Sequence, residues 1–260
     1  MNAAQDRLRA ELLDYSRRLH ARGWVANHDG NLSVRLRPGE FLCTPTATSK
    51  AEVRDENLLV VDEKGTRLSG QGKPFSEWAL HGAVYQTRPD AVAVLHAHCP
   101  HATALAACGR DLSPPFLPEA VVSLGPTVPL VPLTPPGAAQ ATALLRFLPF
   151  YDAMLLAGNG VLTLGSTIEQ AYLRAELVEH LSRIFLLALP AGGVKPLPDS
   201  MLDSLLAARK KAGLGPEARG LVLPTASPPK APGPSERLLS VIREEIASSL
   251  SQPGVPKATL

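Results

Sequence analysis

A chain of 260 residues, 45% hydrophobic and 19% charged, has the apolar content for one large core, or for one domain with an appendage. Its 26 basic and 24 acidic residues leave a net charge of +2, which excludes recruitment of nucleic acid or an anionic membrane by the surface as a whole. Cys43, Cys99 and Cys108 form neither a CxxC nor an even-numbered framework, so a disulfide scaffold is excluded and a reducing compartment is expected. The polar start "MNAAQDRLRAELLDYSRRLHARG" has no signal-peptide core. The apolar run "IFLLALPA" is too short to span a bilayer. A cytoplasmic protein with no nucleic-acid and no membrane partner is therefore expected.

In chain order, Leu8, Leu12, Leu13 and Leu19 recur at helical spacing among charged residues and predict an amphipathic helix over residues 4–22. "HDGNLSVRL" passes from a turn into a short alternating strand. "EFLCTP" and "NLLVVDEKGTRLSG" read as further strands, the last two turning at Lys64-Gly65. In "SEWALHGAVYQTR", Ser76 is the candidate N-cap of a helix that Pro89 ends. "AVAVLHAH" is a strand stopped by Pro100, and "HATALAACG" a short helix ending at Gly109. Residues 113–137 are rich in proline, with the apolar pieces "AVVSLG" and "VPLVPL" between breaks. "AQATALLRFLPFY" is helical and "AMLLAGNGVLTLG" a strand–turn–strand. "TIEQAYLRAELVEHLSRIFLLAL" is a long helix, with Thr167 and Gln170 at capping-box spacing. Strands interleaved with helices imply an α/β or α+β domain around one sheet, over residues 1–222. A proline-rich linker follows over 223–234. An amphipathic helix over 235–250 carries Leu238, Leu239, Ile242, Ile246 and Leu250 on one stripe, and 251–260 form a flexible tail.

Two imidazoles stand one residue apart in "VAVLHAHCPHATALA". In a strand, residues i and i+2 share a face, so His96 and His98 project together and can converge on one ion, while Cys99 points the other way. Two surface histidines at the end of an edge strand are the alternative. His81 and His101 read as packing or helix-surface residues, and His28 sits in a polar turn.

"GNLSVRL", "CTPTATSK", "KPFSEWALHGAVYQTRPDAVAVLHAHCPHATALA" and "LLAGNGVLTLG" occur in this order, and together they resemble the class II aldolase/adducin family over about residues 5–215. That resemblance implies a three-layer α/β fold, a central, mostly antiparallel sheet flanked by helices. It also implies a cyclic homotetramer with active sites between subunits and one divalent zinc ion per subunit. His96 and His98 become zinc ligands, and Glu77 becomes the acid/base that also touches the metal. A first-turn glutamate favoured by the helix dipole is the alternative for Glu77. Asn31, Thr46, Ala47, Phe75 and Ser76 fall at the positions that bind the substrate phosphate. The implied reaction is retro-aldol cleavage of a deoxy-sugar ketose phosphate of the L-fuculose-1-phosphate type, giving dihydroxyacetone phosphate and lactaldehyde. A 4-epimerase, a sugar-phosphate dehydratase and a non-catalytic adducin-like scaffold are the alternatives.

Four positions depart from the family pattern. Asn159, in "GNG", takes the place of the third histidine ligand. Ala47 and Phe75 stand where a glycine and a serine are usual. Glu119 occupies the place of a proton-donor tyrosine contributed by a neighbouring subunit. The tethered C-terminal helix resembles the encapsulation peptides of bacterial microcompartment cargo, which makes a shell protein a candidate partner and the microcompartment lumen a second location. Docking on its own oligomer is the alternative.

Overall fold

The computed structural model describes residues 3–135 and 137–222. The chain divides into two units, Met1–Ala226 and Ser227–Leu260. The second lies outside the described residues, and with it the expected 235–250 helix and flexible tail, as does the linker over 223–234.

Eight strands form one sheet: β1 (Asn31–Arg37), β2 (Glu40–Cys43), β3 (Leu59–Val61), β4 (Arg67–Ser69), β5 (Ala93–Ala97), β6 (Leu130–Val131), β7 (Ala153–Leu156) and β8 (Gly160–Gly165). Their order is β4-β3-β2-β1-β5-β8-β7-β6. Every pairing is antiparallel except that of β6 with β7. The three-layer, mostly antiparallel α/β arrangement expected from the sequence is present.

β5 and β8 are buried along their whole length, as central strands covered on both faces must be. Alternation divides their side chains. Leu95 and Ala97 pack with α1 (Ala3–Ala21), α3 (Pro100–Ala107) and α6 (Ile168–Ala188). Val94 and Leu162 pack on the other face with α2 (Trp78–Thr87) and α5 (Ala138–Leu144). Cys99 is fully buried on the first face, as expected. Thr167 caps α6 by accepting from the Gln170 amide at 3.0 Å. The Gln170 side chain bonds the Ser166 amide at 2.8 Å instead of completing the box on Thr167.

α2 departs from expectation. Its N-cap is Glu77, not Ser76, and no side chain caps it. The Glu77 carboxylate is drawn inward, away from the helix end. The helices α4 (Pro118–Ser123), α7 (Asp199–Lys211) and α8 (Gly215–Ala218) complete the fold. No helix among the described residues is long and apolar enough to cross a membrane.

One buried carboxylate ties the C-terminal helices to the sheet. Asp152, 1% exposed, lies 2.8 Å from Arg88, 3.0 Å from Arg174, 3.4 Å from Arg209 and 3.8 Å from Arg219. Arg88 also holds Asp90 through two bonds of 2.8 and 2.7 Å, which accounts for the "RPD" turn. Burial pushes the Asp152 carboxyl up, and the guanidinium groups outweigh it and hold it below the usual range. Asp152→Asn should destabilise the protein by about 3–5 kcal/mol, because buried guanidinium groups lose their shared counter-charge. Urea unfolding measures this, and a change below about 1 kcal/mol, the scale of an exposed pair, would show that the cluster is not a clasp.

Candidate active site

The sheet register brings the predicted site residues together. Asn31 of β1 pairs with His96 of β5, and Ala97 pairs with Val161 of β8, so the Asn159 turn lies against the end of β5. Gly160 makes this approach feasible. Its φ is +79°, and a Cβ there would fall 2.4 Å from the Ala97 carbonyl oxygen. The strand ends at Ala97, yet the His96 and His98 rings still converge, with centroids 5.1 Å apart.

Glu77 sits at the centre. Its Oε2 accepts from Asn31 Nδ2 and its Oε1 from Asn159 Nδ2, both at 2.8 Å. His96 Nε2 lies 3.4 Å from Oε1, within ionic reach, but has no hydrogen-bond partner among the described residues. His96 Nδ1 is tied to the Val161 carbonyl at 2.9 Å. Burial pushes the Glu77 carboxyl up, but His96 and the two amides prevail and hold it well below the usual carboxylate range. Burial lowers His96, and Glu77 more than offsets it, so the ring's pKa is raised. His98 is lowered by burial and by the charge of His96. It meets Asp29 at 3.2 Å through Nδ1.

Behind Glu77 runs a buried polar line that the sequence reading missed. Because Asn31 donates to a carboxylate, its Oδ1 is left to accept from His81 Nε2–H, at 2.6 Å. Burial drives the His81 pKa down to about 3. The neutral ring therefore accepts at Nδ1 from the Ser33 hydroxyl at 2.6 Å. Ser33 Oγ in turn accepts from the Tyr85 hydroxyl at 2.7 Å. His81 is fully buried, not a surface residue. The signal was present in spacing: 77, 81 and 85 share one helix face, and 31 and 33 one strand face.

The phosphate-loop positions divide. Pro45 bridges to Pro74 and the Thr46 amide donates to the Lys73 carbonyl at 3.0 Å, which sets Thr46 and Ala47 beside the segment carrying Ser76. Ala47 adopts φ +53°, the conformation that glycine takes freely. Ser76 is exposed. Phe75 is buried, its ring 5.8 Å from Trp78 and 4.8 Å from His81, so it is a core residue. Both polar ends of the Asn31 side chain are committed to Glu77 and His81. Glu119, exposed in α4, lines a cavity of about 850 Å³ with Trp24, His101 and Glu179, apart from the Glu77 cluster. His101 bonds Glu179 at 2.7 Å.

As they stand, no three His, Cys, Asp or Glu side chains among the described residues are grouped so as to hold a metal. The donors present still suit a divalent ion. An imidazole held at Nδ1 by a carbonyl, with a buried and unpaired Nε2, is how a ligating histidine is oriented. His96, His98 and Glu77 would hold the ion, with Asn159 as a weaker amide donor.

A family profile described as the Class II Aldolase and Adducin N-terminal domain matches residues 10–186, and the chain belongs to this family, whose members typically depend on a divalent metal. A 3-oxo-tetronate 4-phosphate decarboxylase of Pectobacterium atrosepticum is 32% identical over 187 residues, 70% of this chain and 85% of the relative. A 5-deoxy-D-ribulose 1-phosphate aldolase of Bacillus thuringiensis is 28% identical over 209 residues, 80% and 96% of the two chains. A solved L-fuculose 1-phosphate aldolase superposes with a TM-score of 0.73 at 28% identity, covering 82% of this chain and 98% of that one.

Asn159→His should tighten zinc binding, since imidazole is a stronger ligand than a neutral amide. Titration against a competing chelator reads this directly. Unchanged affinity would mean that position 159 does not face the ion.

Proposed function

We propose that the protein is a divalent-metal-dependent lyase that cleaves a carbon–carbon bond of a phosphorylated ketose. L-fuculose-1-phosphate-type substrates would give dihydroxyacetone phosphate and lactaldehyde. The observation that carries this reading is an ionised, doubly hydrogen-bonded carboxylate beside an open imidazole nitrogen. The ion, when bound, supplies Lewis-acid polarisation of the substrate carbonyl. Glu77 takes the proton from the hydroxyl that becomes the aldehyde, as general base, and after the carbon–carbon bond breaks the proton is returned to the freed carbon, completing dihydroxyacetone phosphate. Asn31 and Asn159 fix the plane of its carboxylate. Thr46, Ala47 and Ser76 line the place for the phosphate.

The Pectobacterium relative is named a decarboxylase, and dehydration or 4-epimerisation of a sugar phosphate uses similar parts. Aldol cleavage is favoured over decarboxylation because it needs a base at the hydroxyl, and Glu77 is held as the base. Loss of carbon dioxide needs no such base. A scaffold without chemistry has no use for a buried unpaired imidazole nitrogen, which destabilises the fold. In this reading the chain works as a homotetramer, and Glu119 reaches a neighbouring subunit's site. Zinc is the proposed ion.

Glu77→Gln should lower kcat by about a hundredfold or more, with folding and zinc content retained. Purified protein screened with fuculose-, rhamnulose- and ribulose-phosphates, with and without zinc, provides the assay. Equal turnover of variant and wild type would remove Glu77 from the mechanism, and product analysis separates cleavage from dehydration or epimerisation.

Residues 235–250 are proposed as a targeting peptide for a microcompartment shell, on the strength of their apolar stripe and proline-rich tether. An apolar stripe of this length suits the helix-in-groove mode of recognition. A fluorescent protein carrying residues 223–260 should be recruited to shell assemblies. A diffuse fusion, with loss of thermal stability in the truncated enzyme, would make the segment an internal clasp.

A further inference from the structure

We propose that His81 is a positioning residue: it locks the direction of the Asn31 amide and, through it, the Glu77 carboxylate. The consequence for turnover rests on the reading of Glu77 as the base; the lock itself rests on the hydrogen bonds.

Asn31 is held between two residues of one helix. Glu77 stands at the start of α2 and His81 one turn along it, and Asn31 reaches both from β1, at 2.8 Å and 2.6 Å. The oxygen and nitrogen of an amide are nearly the same size, so hydrogen bonding, not packing, chooses between its two directions. One direction gives Glu77 a donor. The other sets a carbonyl oxygen against the carboxylate and withdraws one of its two amide donors. His81 decides between them by where its proton sits. A proton on Nε2 requires an acceptor and holds Oδ1 toward the ring. A proton on Nδ1 would leave Nε2 as an acceptor, draw Nδ2 to the ring and turn Oδ1 onto Glu77.

The tautomer is set one step further back. The Ser33 hydroxyl, 2.6 Å from Nδ1, has a single proton to give, and Tyr85, at 2.7 Å, supplies the one that Ser33 accepts. Nδ1 is then an acceptor, and the ring proton is left on Nε2. The ring plane is held as firmly. His81 is fully buried, with its ring 4.8 Å from Phe75 and 6.1 Å from Trp78. Stability alone does not call for this arrangement, because replacing both partners of a buried hydrogen bond by apolar groups of the same shape costs little. A line that ends on the carboxylate beside the open His96 nitrogen has a use for its direction.

The test is a double-mutant cycle on the full-length protein. His81→Phe keeps a flat ring and removes both nitrogens. It should weaken zinc binding, read against a competing chelator, by about tenfold or more, the scale for an outer partner of a metal-facing side chain. On whichever sugar phosphate is turned over it should lower kcat by a similar factor, with KM held within about twofold. In an Asn31→Ala background His81→Phe should add nothing to either loss, because its route to Glu77 is already cut. A His81 that serves only the core would multiply its losses with those of Asn31→Ala, and that result overturns the proposal. So does a His81→Phe protein that binds zinc and turns over like wild type.

If His81→Phe does not fold, wild-type protein labelled with 15N-histidine decides. The ring identified by its proximity to Phe75 should be neutral, with an exchange-protected proton on Nε2. A proton on Nδ1, or on both nitrogens, overturns the lock. Zinc affinities that follow the cycle in a protein that turns over no sugar phosphate would refute the cleavage reading and leave the lock standing.

Discussion

The pairing of Asn31 with His96 across β1 and β5 is the constraint on which the site depends. In an antiparallel ladder a slip of one residue turns every side chain to the other face. Here the register puts Asn31, Ser33 and His96 on the face covered by α2, and leaves Leu32, Val34 and Leu95 for the opposite core. α2 can then offer Glu77, His81 and Tyr85 one turn apart along a single line. The β5–β8 register sets the Asn159 turn against the same strand end. No single loop builds the site. It is assembled from four segments whose relative positions are fixed by backbone hydrogen bonds.

The polarity of the buried line has one direction. Tyr85 donates to Ser33, Ser33 to His81, His81 to Asn31, and Asn31 to Glu77. The end group, an ionised carboxylate, can only accept, and that fixes each donor behind it. The same order keeps His81 neutral, because a second proton on its ring would leave the Ser33 hydroxyl without its acceptor. Every member of the line is satisfied, which is what makes a polar chain tolerable beside the Phe41, Phe75 and Trp78 rings. The adjoining exception is His96 Nε2. An isolated gap in an otherwise complete network is a functional position more readily than a packing fault.

The elements with strong periodicity were legible in the sequence. The helix over 4–22, the turn at Lys64-Gly65, the His96–His98 strand and the Thr167 cap all rest on local patterns, and local patterns fixed them. The burial of the Phe75 side chain follows from its chemistry; next to Trp78, a phenylalanine packs in the core, whatever its backbone does. Ser76 had the composition of a cap, but Glu77 is recruited by two asparagines remote in sequence, and no local rule sees that. α7 escaped because its inward contact is made by Arg209, 1% exposed, through a carboxylate 57 residues away. Arginine in a helix ordinarily marks the solvent face. Lys50, also 1% exposed, is a second buried cation that charge alone would place at the surface.

Asn159 is the position where sequence and geometry inform each other most. By residue type alone it is a lost histidine ligand. In the fold its Nδ2 donates to Glu77, so one short amide braces the carboxylate that lies 3.4 Å from the His96 ring. An amide carries a donor and an acceptor on a single carbon and can bridge two neighbours that both border the same space. An imidazole, with its nitrogens on opposite sides of a ring, would have to turn one of them away. The exchange of histidine for asparagine therefore gives up ligand strength and gains an internal brace. With Asp29 3.2 Å from His98 and the Val161 carbonyl on His96, the two imidazoles and Glu77 are each held by the protein's own polar contacts. Alignment of these three side chains is then set by the fold itself, before any ion is bound.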